Sequence, residues 1–236
     1  MISKAEIKLI KSLEYKKFRD AEGLFVAEGP KVVGELQKRF ECVKLFDDAD
    51  DVHKASFLKN PQGILGIFKI PSKTDGATSD KDNISAHLSL LLDCIQDPGN
   101  LGTIIRIADW FGIDNIFCSA DTADCWSPKV VQATMGSLAR VNVTYCNLVE
   151  LIDQYPSVPV YGTFLDGKSL YKQELSATGF IVMGNEGKGI SAALAEKINH
   201  RLLIPSSREG AESLNVAVAT AITFAEFRRQ TASCKV

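Results

Sequence analysis

The sequence predicts an α/β protein whose larger part is built on a parallel sheet, and three observations carry that prediction. Leu88 to Ile95 is an almost unbroken apolar run, as in strands covered on both faces. Beyond it, strand-like runs and helix-like spacings alternate toward the C-terminus. Between Pro71 and Asn83 nothing apolar is larger than Ala, so that stretch can build no core and divides the larger part from a smaller α/β unit.

Taken in order, Ser3-Lys4-Ala5-Glu6 has the form of a capping box, and Ile7, Ile10 and Leu13 follow at helical spacing. Leu24 to Ala27 reads as a short strand. Pro30 to Phe40 reads as a helix with Val32, Val33 and Leu36 on one face, and Val43 to Phe46 as another strand. Asn60-Pro61-Gln62-Gly63 is a turn leading into the apolar run Ile64 to Ile70. After the polar stretch, Leu88 to Ile95 enters the loop Gln96-Asp97-Pro98-Gly99-Asn100. Ile104, Ile107, Ala108 and Phe111 then mark a helix, Gly112 its stop, and Ile113 to Cys118 a returning strand, which completes a βαβ unit. Ser127-Pro128 opens a helix through Val130, Val131 and Met135. Val158 to Thr163, Phe180 to Met183 and Leu202 to Ile204 are further strands. The last helix runs from about Ser213 to Arg229 and ends in a cationic turn that complements its dipole. The expected domains are 1–72, a linker over 73–87, and 88–236.

The composition narrows the function classes. With 45% hydrophobic and 24% charged residues and a formal charge of −2, the chain reads as globular. It is not a strongly basic nucleic-acid binder, although a local basic patch suffices for such binding. No apolar run approaches the roughly 20 residues of a membrane span, and the first residues lack a secretory core, so a cytoplasmic protein is expected. Six scattered cysteines without a C-x-x-C pair, and three distant histidines, form neither a zinc site nor a disulfide framework; reduced thiols and no metal are expected.

Ligands of parallel sheets bind beyond the carboxyl ends of the strands. Three loops there are unusual: Asp97-Pro98-Gly99-Asn100-Leu101-Gly102 followed by Arg106, Met183-Gly184-Asn185-Glu186-Gly187-Lys188-Gly189, and Ile204-Pro205 through Glu212-Ser213-Leu214-Asn215. Glycines after a strand let backbone approach a ligand closely, though each cluster alone is equally a tight turn. Neither a Walker A sequence nor a G-x-G-x-x-G fingerprint is present.

In order and spacing, these loops resemble the three motifs of the SpoU/TrmH branch of the SPOUT RNA methyltransferases. The matches are Asn100-Leu101-Gly102 with Arg106 and Ala108, then Gly184 to Gly189, then Ile204-Pro205 with Glu212-Ser213-Leu214-Asn215-Val216-Ala217-Val218-Ala219. The resemblance spans roughly Leu88 to Gln230. Phe25 to Gly29 and Asn60 to Leu65 resemble the small substrate-binding domain that often precedes this catalytic domain.

The resemblance implies a C-terminal trefoil knot, a homodimer whose site is completed across the subunit interface, and methyl transfer from S-adenosyl-L-methionine to a ribose 2′-hydroxyl of structured RNA. Ribosomal RNA is favoured over transfer RNA. The donor is expected against Met183, Gly184, Asn185, Gly187, Gly189, Ile204, Pro205, Ser213, Leu214 and Asn215. Arg106 is the residue expected nearest the transfer. The family proposal makes it a base, but a guanidinium normally stays protonated, so fixing a phosphate and stabilising developing charge is the alternative. Asn100 shapes the first loop or holds Arg106, and Glu186 positions Arg106 or RNA. Ser213 reads as the cap of the last helix, while Asn215, lacking that structural reason, ranks higher as a functional residue. Lys16, Lys17 and Arg19 form a basic cluster for RNA, joined by Lys129 and Arg140. Two rivals stay open: a base-nitrogen methyltransferase of the same superfamily, and a non-catalytic RNA-binding factor on this fold.

Overall fold

Five consecutive apolar-compatible residues with no polar face can sit only in the interior of a sheet, and Leu88–Leu92 is buried at every position. Around it the computed structural model, which describes residues 1–71, 81–208 and 213–231, arranges ten helices and nine strands among the described residues. In chain order these are α1 (Lys4–Ser12), α2 (Lys16–Glu22), β1 (Leu24–Glu28), α3 (Pro30–Leu36), β2 (Cys42–Phe46), α4 (Ala49–Ala55) and β3 (Leu65–Lys69). Then follow α5 (Lys81–Ala86), β4 (Leu88–Leu92), α6 (Pro98–Trp110), β5 (Asn115–Cys118), α7 (Pro128–Thr134), β6 (Asn142–Tyr145) and α8 (Leu148–Asp153). The chain continues through β7 (Val160–Ser169), β8 (Gly179–Met183), α9 (Ala192–Ala195), β9 (His200–Leu203) and α10 (Val216–Thr231). Most of the expected linker, and Glu212 of the third motif, lie outside the described residues.

The chain divides into two compact units, one holding the described residues of 1–78 and 124–140, the other those of 79–123 and 141–236. The first is a three-stranded antiparallel sheet in the order β1-β3-β2. Its first helix begins with the expected capping box: the Ser3 side chain accepts from the Glu6 N–H and the Glu6 carboxylate accepts from Ser3. The stretch 124–140 lies inside the expected catalytic domain but packs into this first unit. Trp126 packs tilted against Phe25, with ring centroids 4.8 Å apart, and meets Phe40 edge-on at 5.6 Å. The Arg19 guanidinium pairs with Asp124 at 2.6 Å.

The second unit is a six-stranded sheet in the order β6-β5-β4-β8-β7-β9, with every neighbouring pair parallel. β4 and β8 are central and wholly buried. On one face Leu91, Phe180 and Val182 pack with Leu148, Leu151 and Leu194. Such parallel strands bring all their following loops to one edge, which is why residues far apart in sequence meet there. Among the elements the sequence predicts, β7 and the last helix have different bounds. β7 runs on to Ser169 and pairs β9 in two stretches separated by a register shift between Thr163 and Lys168. The last helix begins at Val216 rather than near Ser213.

Candidate active site

The carboxyl edge of the second unit's sheet is assembled from the end of β4 outward. Asp97 caps α6: its side chain accepts from the Asn100 N–H at 2.8 Å, and Pro98 sits at the favoured start. That fixes Asn100 in the first turn of the helix. Its Nδ2 donates to Glu186 Oε1 at 2.7 Å, and its Oδ1 accepts from Asn215 Nδ2 at 2.9 Å. All three motif loops are thereby joined by one side-chain chain.

The direction of that chain is set by a helix terminus. Asn215 Oδ1 accepts from the N–H groups of Ala217 at 3.0 Å and Val218 at 3.3 Å. Helix N–H groups can only donate, so the Asn215 amide must turn its NH2 toward Asn100. Asn100 must then turn its own NH2 toward Glu186, which acts as acceptor. Asn215, not Ser213, is therefore the cap of α10. The expectation that Asn215 has no structural reason to stand there is corrected, because it caps and donates at once. Ser213 and Leu214 precede the helix and are exposed.

The second loop is fastened independently. Asn185 donates through Nδ2 to the Cys94 carbonyl at 2.8 Å, while its Oδ1 accepts from Gly187 and Lys188 N–H at 3.0 Å each. Asn185 and Gly189 exchange backbone hydrogen bonds of 3.0 and 2.9 Å. A Cβ on Gly184 would collide with the backbone of Gly189 and Ile190, so only glycine lets the loop close on itself. Met183 is buried, and its carbonyl accepts from the Asp93 N–H at 2.9 Å. Gly187, Gly189 and Pro205 are exposed, and Ile204 half-buried, at the same edge. The surface they offer is neutral and largely backbone, with the exposed Leu214 side chain beside the capped start of α10. It suits an adenine and a sulfonium better than a phosphate.

Arg106 is not brought to the Asn100–Glu186–Asn215 chain. It is exposed on α6 and makes no hydrogen bond to those three residues. Helix geometry explains this, since six residues turn it roughly 240° and carry it about 9 Å along the axis from Asn100. It shares its face with Trp110, one turn on, which is 85% exposed.

The five residues expected to touch RNA all fall in the first unit. Lys16 and Lys17 are exposed, the former paired with Asp20 at 2.8 Å, the latter lying 4.7 Å over the Phe18 ring. Lys129 is exposed on α7, and Arg140 is exposed but paired with Glu35 at 2.5 Å. Arg19 is corrected. Its side chain is buried and its guanidinium donates to Asp124 and to the carbonyls of Leu13 and Glu14, which leaves nothing for a phosphate. The sequence reading missed Asp93, Cys94 and Ser191, which tie the first two loops together. The positive φ of Cys94 (60°) left no signal in its residue type.

The SpoU rRNA methylase family profile matches residues 87–225, and the profile of an MRM3-like substrate binding domain matches residues 4–51. Among curated relatives, the chain is 34% identical over 202 residues to the 23S rRNA (guanosine(2553)-2′-O)-methyltransferase RlmP of Bacillus subtilis, covering 84% of this chain and 77% of that one. It is 35% identical over 149 residues to an uncharacterised tRNA/rRNA methyltransferase of Synechocystis, and spans 54% of that protein's length. Among solved structures, it is similar to an RNA methyltransferase of the TrmH family from Porphyromonas gingivalis, with a TM-score of 0.87 and 40% identity over 98% of this chain and 100% of that one. An AdoMet-bound rRNA methyltransferase from Sinorhizobium meliloti gives a TM-score of 0.86 at 29% identity, covering 99% and 98% of the two chains.

Proposed function

Because this chain belongs to the SpoU rRNA methylase family, we propose that it transfers a methyl group from S-adenosyl-L-methionine to a ribose 2′-hydroxyl of ribosomal RNA. The observation that carries this reading is the Asn100–Glu186–Asn215 chain, which links the three motif loops at the sheet edge where a parallel fold binds ligands. The likeness to an AdoMet-bound relative supports the donor, and the guanosine 2′-O activity named for RlmP supports the ribose acceptor.

When bound, the donor supplies an electrophilic methyl on a good leaving group. The chain's residues supply the rest. Backbone groups of Gly184, Ile204 and Leu214 hold the adenosine part, with Met183, Asn185, Gly187, Gly189, Pro205 and Ser213 completing its surroundings. The amide chain holds the first loop against the other two, so that the acceptor oxygen meets a fixed wall and needs little reorganisation. A ribose hydroxyl must lose its proton as it attacks; the proton passes to solvent water, and Arg106 stabilises the charge that develops while fixing the adjoining phosphate.

Arg106 does this for the other subunit of a homodimer. Its place on the open face of α6, away from its own amide chain, supports that reading. So do the exposed Trp110 of α6 and the exposed Leu214 and Val218 by the start of α10. The C-terminal region threads as a trefoil knot, as its three-motif pattern implies. Residues 1–72 are the RNA substrate-binding domain, 73–87 the linker and 88–236 the catalytic domain apart from 124–140, which belong to the first unit, with Lys16, Lys17, Lys129 and Arg140 offering phosphate contacts. The cytoplasm is the expected compartment; no helix among the described residues is long and apolar enough to cross a membrane.

Calorimetric titration with S-adenosyl-L-methionine tests the donor site, and absence of binding favours the non-catalytic factor. Mixing Arg106→Ala with Asn100→Ala subunits tests the shared site. Since each heterodimer then holds one intact pairing, about a quarter of wild-type activity returns; no recovery overturns the shared-site reading.

A further inference from the structure

Beyond the carboxyl ends of β4, β5 and β6 lies a cleft of about 410 Å³, distinct from the glycine loops, lined by Asp93, Ser119, Cys146, Asn147, Leu148 and Ser191 among others. Its walls are mainly apolar, and one feature stands against that. Asp93 is 8% exposed, yet it receives a single protein hydrogen bond, from the Ser191 N–H to Oδ2 at 2.7 Å. Its Oδ1 faces no donor among the described residues. A carboxylate set at the wall of an open cleft with one protein donor keeps acceptor capacity on both oxygens for a ligand that displaces water. Two neighbouring polar side chains are engaged: Ser119 Oγ accepts from the Cys94 N–H at 2.8 Å, and Asn147 caps α8 while donating to Glu150 at 2.9 Å.

The partner that fits is flat, apolar on its faces and carries two adjacent N–H donors on one edge. Among RNA bases that describes guanine, whose N1–H and 2-amino group match the two oxygens of one carboxylate. Unstacked bases are read in this way, by their Watson–Crick edge with apolar groups on their faces. The cleft also adjoins the transfer machinery. Asp93 N–H bonds the Met183 carbonyl, and the next residue, Cys94, is held by Asn185 of the second motif.

We propose that this cleft is the base pocket of the methylated nucleoside, that it takes guanine, and that Asp93 is its specificity-determining residue. The inference rests on the methyltransferase reading, which donor titration tests separately on the same samples.

The probes are the 5′-monophosphates of guanosine, inosine, adenosine and xanthosine, titrated into the full chain and into Asp93→Asn. The wild type binds guanosine monophosphate about 10- to 100-fold more tightly than inosine monophosphate, the range expected for one hydrogen bond to a buried charge. It binds adenosine monophosphate more weakly still. Asp93→Asn still accepts from Ser191, but it presents a donor where the 2-amino group arrives. It therefore loses guanosine monophosphate and gains xanthosine monophosphate, whose C2 carbonyl accepts that donor. A purely structural Asp93 produces no such exchange. Guanosine monophosphate also protects Cys146 from alkylation in the wild type, which decides the question should the variant not fold. Equal binding of the four probes, no binding of the guanosine probe, or binding that leaves Cys146 unprotected overturns the proposal, even where donor binding is intact.

Discussion

The first unit and the carboxyl edge of the second unit's sheet use polar side chains in opposite ways. In the first, charges close on one another: Arg19 with Asp124, Glu35 with both Lys38 and Arg140, Lys44 with Glu6. At the carboxyl edge of the second unit's sheet, the three motif loops are joined through neutral amides, with the Glu186 carboxylate ending that chain and Asp93 adding one backbone contact. Buried ion pairs tolerate little displacement, because a lost partner strands a charge in low dielectric. Amides joined end to end fix geometry without imposing a strong local field, which leaves the field at a reacting sulfonium to be set by groups that arrive with the acceptor. The first unit is fastened for shape; the second is arranged for chemistry.

That contrast can be broken, and the largest expected effect is on activity. Arg106→Ala lowers methyl transfer by about 10²- to 10³-fold, the usual loss for one charge-stabilising donor, while calorimetry finds donor affinity unchanged. Wild-type turnover by this variant removes Arg106 from the mechanism. In the first unit the corresponding test is Arg19→Ala, which leaves Asp124 and two carbonyls without their donor. It costs about 3–5 kcal/mol of stability in urea unfolding. Arg19→Lys does not restore it, because one ammonium cannot reproduce the planar fork. A neutral outcome for Arg19→Ala means the ion pair does not hold 124–140 to the first unit.

The amide chain is sharpened by comparing two substitutions at one position. Asn215→Ala removes the cap and costs about 1 kcal/mol. Asn215→Asp keeps the cap but cannot donate to Asn100, so stability holds while transfer falls. Equal activity in Asn215→Asp and wild type shows that the bond to Asn100 has no part in the reaction. The smallest effect concerns acid. The bidentate Arg229 contact brings the buried Glu226 carboxyl down from 4.5 to about 2, against the opposing effect of its burial. Its folded value is depressed, so its contribution is complete above pH 4.5 and is lost as pH falls toward 2. Glu226→Gln therefore shows a shallower loss of stability across that window, read by melting temperature against pH; an unchanged slope refutes it.

What was legible in the sequence follows from what is local. The capping box at Ser3, the βαβ unit around α6 and the central strands all depend on neighbours within a few residues, and the pattern shows them. β6 escaped because it is an edge strand, mostly exposed, with little apolar alternation to betray it. The site was half legible. Its three loops stand out by composition, but Asn100 meets Glu186 and Asn215 across 86 and 115 residues, and no periodicity orients an amide over such a span. Arg19 failed for the same reason. Just after two lysines it reads as surface, and only Asp124, 105 residues on, makes it interior.

The most direct test of the account is to supply the protein with S-adenosyl-L-methionine labelled at the methyl and with ribosomal RNA lacking its modification, then to digest the RNA to nucleosides. The account predicts label in a 2′-O-methylated nucleoside, present with the wild type and lost with Arg106→Ala. Label on a base nitrogen, or no transfer by a protein that binds the donor, contradicts it.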